Sequence, residues 1–436
     1  MYERFFLMAC LLSLFGCRQA FNKEIFKNTE YAQDDPSMMR IKIEDIDPGS
    51  VLKYSDVLEY VSFVRLETTD NSLIGRVDKV IATDDKFIIM DSSIARMIFV
   101  FNRDGSFSNR IGTQGGGPED YDHPGDIAYD KYDDELLVLC QNRSAILRFK
   151  LDGTFAGKTT FDWLVNSIFV TGKNACLVYF NNYIQPNNKK NEYNMVIINK
   201  NGDILETLLP YNEEIGKLSP SRPVFSYYND EIIFALRYFN TVYKLDNNEI
   251  KPKYFLDFGK RKTPASVYGN KNDKELEKVL RDNNYPYVIA SFETSSHVIC
   301  QLVYDKGSVF ECFFSKESGN IRITSAYFND MYALASAQPS SYLKGDSLIN
   351  CIPLELFISF NKIITDTKDN KISINDALYN NLSSLSSPLI NKDLKENYLK
   401  IFKSAPITLT YEEVELINNI DEMDNPILMI SKLKRF

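Results

Sequence analysis

"MIFVFNRDGSF", residues 97–107, is an apolar run, a short polar step, an Asp-Gly pair and the start of a second run. Asp-Gly supplies the positive φ angles that a tight hairpin turn needs. The pattern returns in "AILRFKLDGTF" (145–155) and "MVIINKNGDIL" (195–205). Their turn glycines, Gly105, Gly153 and Gly202, are 48 and 49 residues apart. "TVYKLDNNEI" (241–250) is a fourth copy and "ECFFSKESGNI" (311–321) a fifth. The longer gap before the fifth holds "KNDKELEKVLRD" (271–282), where the spacing of Leu276, Val279 and Leu280 predicts a short inserted helix.

Two more strand candidates precede each turn, such as "VDKVIAT" and "KFIIMD", then "DIAYD" and "ELLVLC". About four strands per repeat of this length is the size of a propeller blade. The strands are near-continuous apolar runs, as expected where blades stack face to face. At this period Val61 to Ile352 has room for about six blades. The expected fold is therefore all-β: a six-bladed β-propeller over 39–436 with short helical insertions, around 271–282 and, near the C-terminus, around 353–420. In the second insertion "NKDLKENYLKIFKS" and "TYEEVELINNI" read as helices, and a closing strand at 426–433 is expected to pair the two chain ends.

"IGTQGGGPEDYDHPGDIAYD" (111–130) is the most Gly-rich stretch. It does not suit a phosphate. Gly115 and Gly117 would need a third glycine at 120, which is Asp; Pro118 lacks an N–H; Glu119 and Asp120 repel anions; and a strand follows, not a helix N-terminus. It lies between the last strand of one blade and the first of the next, so it is expected to be the crossover between them.

At the N-terminus, Arg4 precedes an apolar run from Phe5 to Phe15, then Gly16 and Cys17. The run is of signal-peptide length, far short of the roughly 20 residues that span a bilayer. "LFGC" resembles a bacterial lipobox, with Cys17 the acylated residue. Residues 1–16 are expected to be a lipoprotein signal peptide and 17–38 a polar tether. "RQAFNKE" after Cys17 lacks an acid-rich run. An outer-membrane anchor facing the periplasm is therefore favoured over the cell surface. Beyond Cys10 and Cys17 five cysteines remain, an odd number without a CxxC, and four of them sit in apolar strand-like runs, as buried thiols do.

The Gly-rich segment resembles the inter-blade segment of NHL-type propellers. The whole chain more closely resembles the six-bladed β-propeller lipoproteins of Bacteroides-type bacteria. The resemblance rests on the lipobox, "YSDVLEYVSFVRLETTDNSLIGRVDKV" (54–80), "GGGPEDY", "NTVYKL" (240–245) and "DNPILMISKLK" (424–434). It implies the fold and no particular activity.

Net charge is −9, which disfavours a broad nucleic-acid surface. The two histidines, His123 and His297, form no metal or triad motif with neighbouring residues. No cofactor, metal or catalytic residue is expected. The primary reading is a non-catalytic, lipid-anchored, monomeric propeller that binds an envelope protein, peptide or glycan. The alternative is a metal-dependent hydrolase or lactonase with carboxylate ligands in the central channel. Candidate ligand-binding residues are Gln114, Glu119 and Tyr121 on the crossover loop, with Arg143 and Arg237 near the start of comparable blade strands.

Overall fold

The computed structural model describes residues 38–140, 144–181, 192–210, 225–229, 231–236, 238–267, 273–331, 342–352, 354, 358, 392–404, 415–416, 419–421 and 423–436. Six sheets, each built on four antiparallel strands, follow one another around the ring, which makes the protein a six-bladed β-propeller. Blade I holds Lys79–Ala82, Lys86–Asp91, Met97–Asn102 and Phe107–Ile111. Blades II, III, IV and V begin at Asp126, Ser167, Phe225 and Tyr287 and repeat the same order. Blade VI is composite. Tyr342–Lys344 and Ser347–Ile352 come first, Ile427–Leu433 third, and Leu58–Arg65 from the other end of the chain is the outermost strand. Ile427 pairs with Arg65 and Lys432 with Tyr60, so the ring closes by antiparallel pairing of early and late residues.

The core follows from this stacking. Middle strands such as Glu135–Cys140 are buried along their whole length, because each is covered on both faces. Among the described residues, buried apolar side chains form six clusters, each bridging neighbouring blades. Phe87, Phe99 and Phe101 of blade I, for example, meet Ile349 and Leu428 of blade VI. The free cysteines Cys140, Cys176, Cys300 and Cys312 are buried in these layers.

Near the axis, side chains link neighbouring inner strands. Lys79 Nζ lies 2.8 Å from Asp126 Oδ1 and donates to the Ile127 carbonyl at 2.7 Å. Asp126 Oδ2 accepts from Ile168 N at 2.9 Å. The Tyr227 hydroxyl donates to the Val170 carbonyl at 2.6 Å, and Ser226 Oγ to the Ser291 carbonyl at 3.1 Å.

A strap precedes the outermost strand of blade VI, Leu58–Arg65. Met39–Lys42 adds a parallel fifth strand to the outer edge of blade IV. Val51–Lys53 then pairs in parallel with Ala326–Phe328, and the chain enters blade VI through the short helix Tyr54–Val57. A second helix, Asp273–Asp282, lies between blades IV and V and buries Leu276 and Leu280. Much of the expected 353–420 insertion lies outside the described residues, as do residues 1–37; its described part includes helix Lys392–Ser404.

The Asp-Gly turn that reveals the repeat also touches the closure. Gly105 has φ of 91°, and a Cβ there would lie 2.0 Å from the Arg65 carbonyl oxygen of blade VI. Its own carbonyl accepts from Glu67 N at 2.9 Å. Gly105→Ala therefore combines an unfavourable backbone conformation with a collision against main chain. It is expected to destabilise the protein by about 3 kcal/mol or more in urea unfolding. A loss under 1 kcal/mol would mean the turn does not abut blade VI.

Candidate functional site

In each blade the chain alternates direction, so the connections fall on two faces. The tight hairpin turns (83–85, 103–106, 151–154) lie on one. The crossovers between blades and the connections between second and third strands lie on the other. Gln114–Tyr121 belongs to this crossover face, between Phe107–Ile111 and Asp126–Asp130.

The Gly-rich loop is folded around its own acid. Gly117 N donates to Asp120 Oδ2 at 2.7 Å. A Cβ at Gly115 or Gly117 would lie 2.5 or 2.7 Å from that oxygen. The glycines thus make room for an internal carboxylate. Gln114 bridges to Tyr121, and the loop closes through Tyr121 N to the Thr113 carbonyl at 3.0 Å.

The structure separates the candidate residues read from the sequence. Gln114 and Glu119 are exposed on the crossover face. Tyr121 is not a rim residue: it is 0% exposed, packs with Ile98, Ile111 and Phe149 between blades I and II, and donates its hydroxyl to the Ile111 carbonyl at 2.6 Å. Burial pushes its phenol pKa up. Its apolar ring outweighs its loop position, so the expectation that it stacks on a ligand is corrected. Arg143 and Arg237 lie outside the described residues, as does Cys17.

The same face holds a feature that sequence reasoning missed. Leu73, Ile94 and Met423 are 42%, 66% and 71% exposed. Leu73 is on the crossover from blade VI to blade I, Ile94 on the central connection of blade I, and Met423 just before the closing strand. Their loops are stitched together. The buried Asp91 carboxylate accepts from Gly75 N, Arg76 N and Ile94 N, each at 2.8 Å, and from Ser93 N at 3.1 Å. Asn425 Oδ1 accepts from Ile74 N at 2.9 Å, while its Nδ2 donates to the carbonyls of Ser72 and Glu67 at 2.7 and 2.9 Å. Arg65 pairs with Asp424 at 2.5 Å. Burial alone would raise the Asp424 pKa; the Asp421 amide and Arg65 bring it below the ordinary carboxylate value. Three large aliphatic side chains thus stand out from a platform held by buried polar groups. The signal in the sequence was a large aliphatic residue in each of three polar loops, "DNSLIG", "DSSIAR" and "DEMDN".

The opposite face is dominated by neutralised charge. Lys200 lies 2.6, 3.0 and 3.7 Å from Asp133, Glu135 and Asp130. Glu293 is held by Lys316 at 2.6 Å and by Lys253 at 2.8 Å, and Tyr254 donates to it at 2.7 Å. A small cleft between blades II and III is lined by Arg148 and Lys200 together with Leu137, Val170 and Cys176. Asp126 at the axis is engaged by Lys79 and by backbone amides. Among the described residues no three His, Cys, Asp or Glu side chains converge as a metal site.

Residues 39–380 match a protein family described as "Domain of unknown function (DUF4934)". The chain belongs to this family. Among solved structures, this DUF4934 protein is similar to a protein of Bacteroides fragilis whose description calls it exported. The TM-score is 0.64 and the identity 16%, covering 91% of this chain and 99% of that one. A DUF4221-family member from Bacteroides vulgatus matches with a TM-score of 0.47 and 9% identity, over 87% of this chain and 97% of that one. Virginiamycin B lyase from Staphylococcus aureus matches with a TM-score of 0.35 and 14% identity, over 66% and 80%. No curated protein matches the sequence. Among the described residues no helix is long and apolar enough to cross a membrane.

Proposed function

We propose that this DUF4934 protein is a non-catalytic binding propeller of the bacterial envelope. It is held by a lipid on Cys17 to the periplasmic side of the outer membrane, and it captures a protein partner with its crossover face. The observation that carries this reading is the rigid display of Leu73, Ile94 and Met423. An exposed large aliphatic side chain is ordinary alone; three on adjacent, internally braced loops are the mark of an interaction surface. Aliphatic anchors favour a protein or peptide over a glycan, which would call for hydrogen-bonding side chains and flat aromatics. Gln114 and Glu119 would supply the polar rim on the next crossover. The description of the Bacteroides fragilis neighbour as exported supports an envelope location.

The test compares native protein with a Leu73→Ser, Ile94→Ser, Met423→Ser variant in crosslinking from intact cells. A partner recovered with the parent should be lost by tenfold or more with the variant, while the melting temperature stays within a few degrees. Equal recovery would place the binding surface elsewhere.

The anchor gives a separate expectation. Each acyl CH₂ buried in the bilayer contributes about 0.8 kcal/mol, so lipid on Cys17 holds the protein to the membrane. Cys17→Ala should move it from the membrane pellet to the soluble fraction. Retention in the pellet would contradict lipidation at this residue.

A further inference from the structure

We propose that the segment Lys434–Phe436 is a proton-sensitive clasp on the ring closure, with His297 of blade V as its seat. This segment follows the closing strand of blade VI. Lys434 N donates to the Val57 carbonyl at 2.8 Å, which fixes the segment beside the strap. Phe436 then reaches the neighbouring blade. Its ring centroid lies 4.7 Å from that of His297, and the Arg322 guanidinium lies over the ring, 4.0 Å from its centroid. Its carbonyl accepts from Ser318 Oγ at 2.7 Å. Arg322 in turn donates to the Asp56 carbonyl. The clasp therefore ties blade V to both chain segments that close blade VI.

His297 is completely buried under this ring. Nδ1 lies 2.8 Å from Ser296 Oγ, but Nε2 is buried with no hydrogen-bond partner among the described residues. A neutral imidazole with Nε2 as the bare acceptor tolerates that position; an imidazolium must place a second N–H there, where no acceptor meets it. The charged groups around it reinforce the preference. Lys316 and Arg322 of blade V disfavour a further positive charge, while Asp346 in the facing turn of blade VI favours it. Lys434 and Arg435 of the clasp are exposed cations. Burial, then the two blade V cations, lower the His297 pKa from 6.5 to about 4. Lifting Phe436 lets water reach Nε2 and restores an ordinary histidine, so protons favour the lifted state.

With 6.5 for the lifted state and about 4 for the closed one, the opening equilibrium should rise about 20-fold between pH 7 and pH 5. Hydrogen exchange by mass spectrometry on a peptide covering 427–436, corrected for intrinsic rates, reads this directly. Strand Glu135–Cys140 of blade II is the internal reference against global unfolding. Wild type should lose protection in 427–436 at pH 5 relative to that reference. His297→Gln should show no such pH dependence. Phe436→Ala should exchange rapidly at both pH values, because the clasp is absent throughout. Unchanged relative protection of wild type between pH 7 and pH 5, or retention of the full loss in His297→Gln, would overturn the proposal.

Discussion

Deleting residues 424–436 is expected to abolish the cooperative fold or lower the melting temperature by more than about 15 °C. The reason lies in the pairing of the closing strand. Ile427–Leu433 is the third strand of blade VI and bonds on both sides, to Ser347–Ile352 and to Leu58–Arg65. Its removal leaves two unpaired edges within one sheet, which invite aggregation. It also removes Ile427, Leu428, Met429 and Leu433, all buried, from the layers that join blade VI to blades V and I. At about 2 kcal/mol for each buried side chain, the lost burial is about 8 kcal/mol. That is comparable with the whole stability of an ordinary domain, about 5–15 kcal/mol. Asn425 goes as well, and with it the bonds that fix the loop carrying Leu73 and Ile74. The deletion should thus also disorder the proposed partner surface. Thermal unfolding followed by circular dichroism checks the prediction. A truncated protein that melts within 3 °C of the parent would show that the ring does not depend on this closure.

The ring itself was legible in the sequence because it rests on local chemistry repeated many times. Gly105, Gly153 and Gly202 all take φ near 90° in the structure, and the apolar runs before them are the strands the spacing implied. The crossover role of the Gly-rich loop was legible because the flanking strands were. What its glycines accommodate was not: Asp120 folds back onto Gly117 through a contact of three residues that no motif encodes. Tyr121 was misjudged for a related reason. Position in a loop predicts exposure on average, but the closure of this loop turns its ring into the layer between blades I and II. The Leu73, Ile94 and Met423 platform could not be assembled from sequence at all. Residues 73 and 423 are brought together only by ring closure, and the bonds of Asn425 to residues 67, 72 and 74 span the length of the chain. Site residues contributed by loops of different blades have no common local signature.

Glu311→Gln is expected to make the protein more stable at neutral pH and to expose an acid sensitivity that the parent conceals. Glu311 is buried in the middle of blade V, with the Tyr327 hydroxyl donating to it at 2.5 Å and Gln301 Nε2 at 3.2 Å. Desolvation raises its pKa from 4.5 to about 7, against the pull of those two donors. The folded state thus prefers the neutral acid. Stability from this group is fully present below pH 4.5, declines as pH rises, and is lost above pH 7. A shift of that size corresponds to about 3 kcal/mol. Glutamine retains a neutral polar side chain, so the variant should gain up to about 3 kcal/mol above pH 7 and nothing near pH 4.5. His297 runs the other way. Its folded pKa is lowered to about 4 from 6.5, so stability is intact above pH 6.5 and falls as the unfolded chain takes up the proton at lower pH. The two groups sit in one blade and titrate across the same window with opposite slopes, so wild type should show little net change from them between pH 6.5 and 4.5. Without Glu311 the histidine slope stands alone, and the variant should lose about 2 kcal/mol over that interval while wild type changes far less. Urea unfolding at pH 4.5, 5.5, 6.5 and 7.5 measures both profiles. Parallel profiles for Glu311→Gln and wild type would mean that Glu311 does not carry a raised pKa in the folded protein, and the compensation within blade V would fall with it.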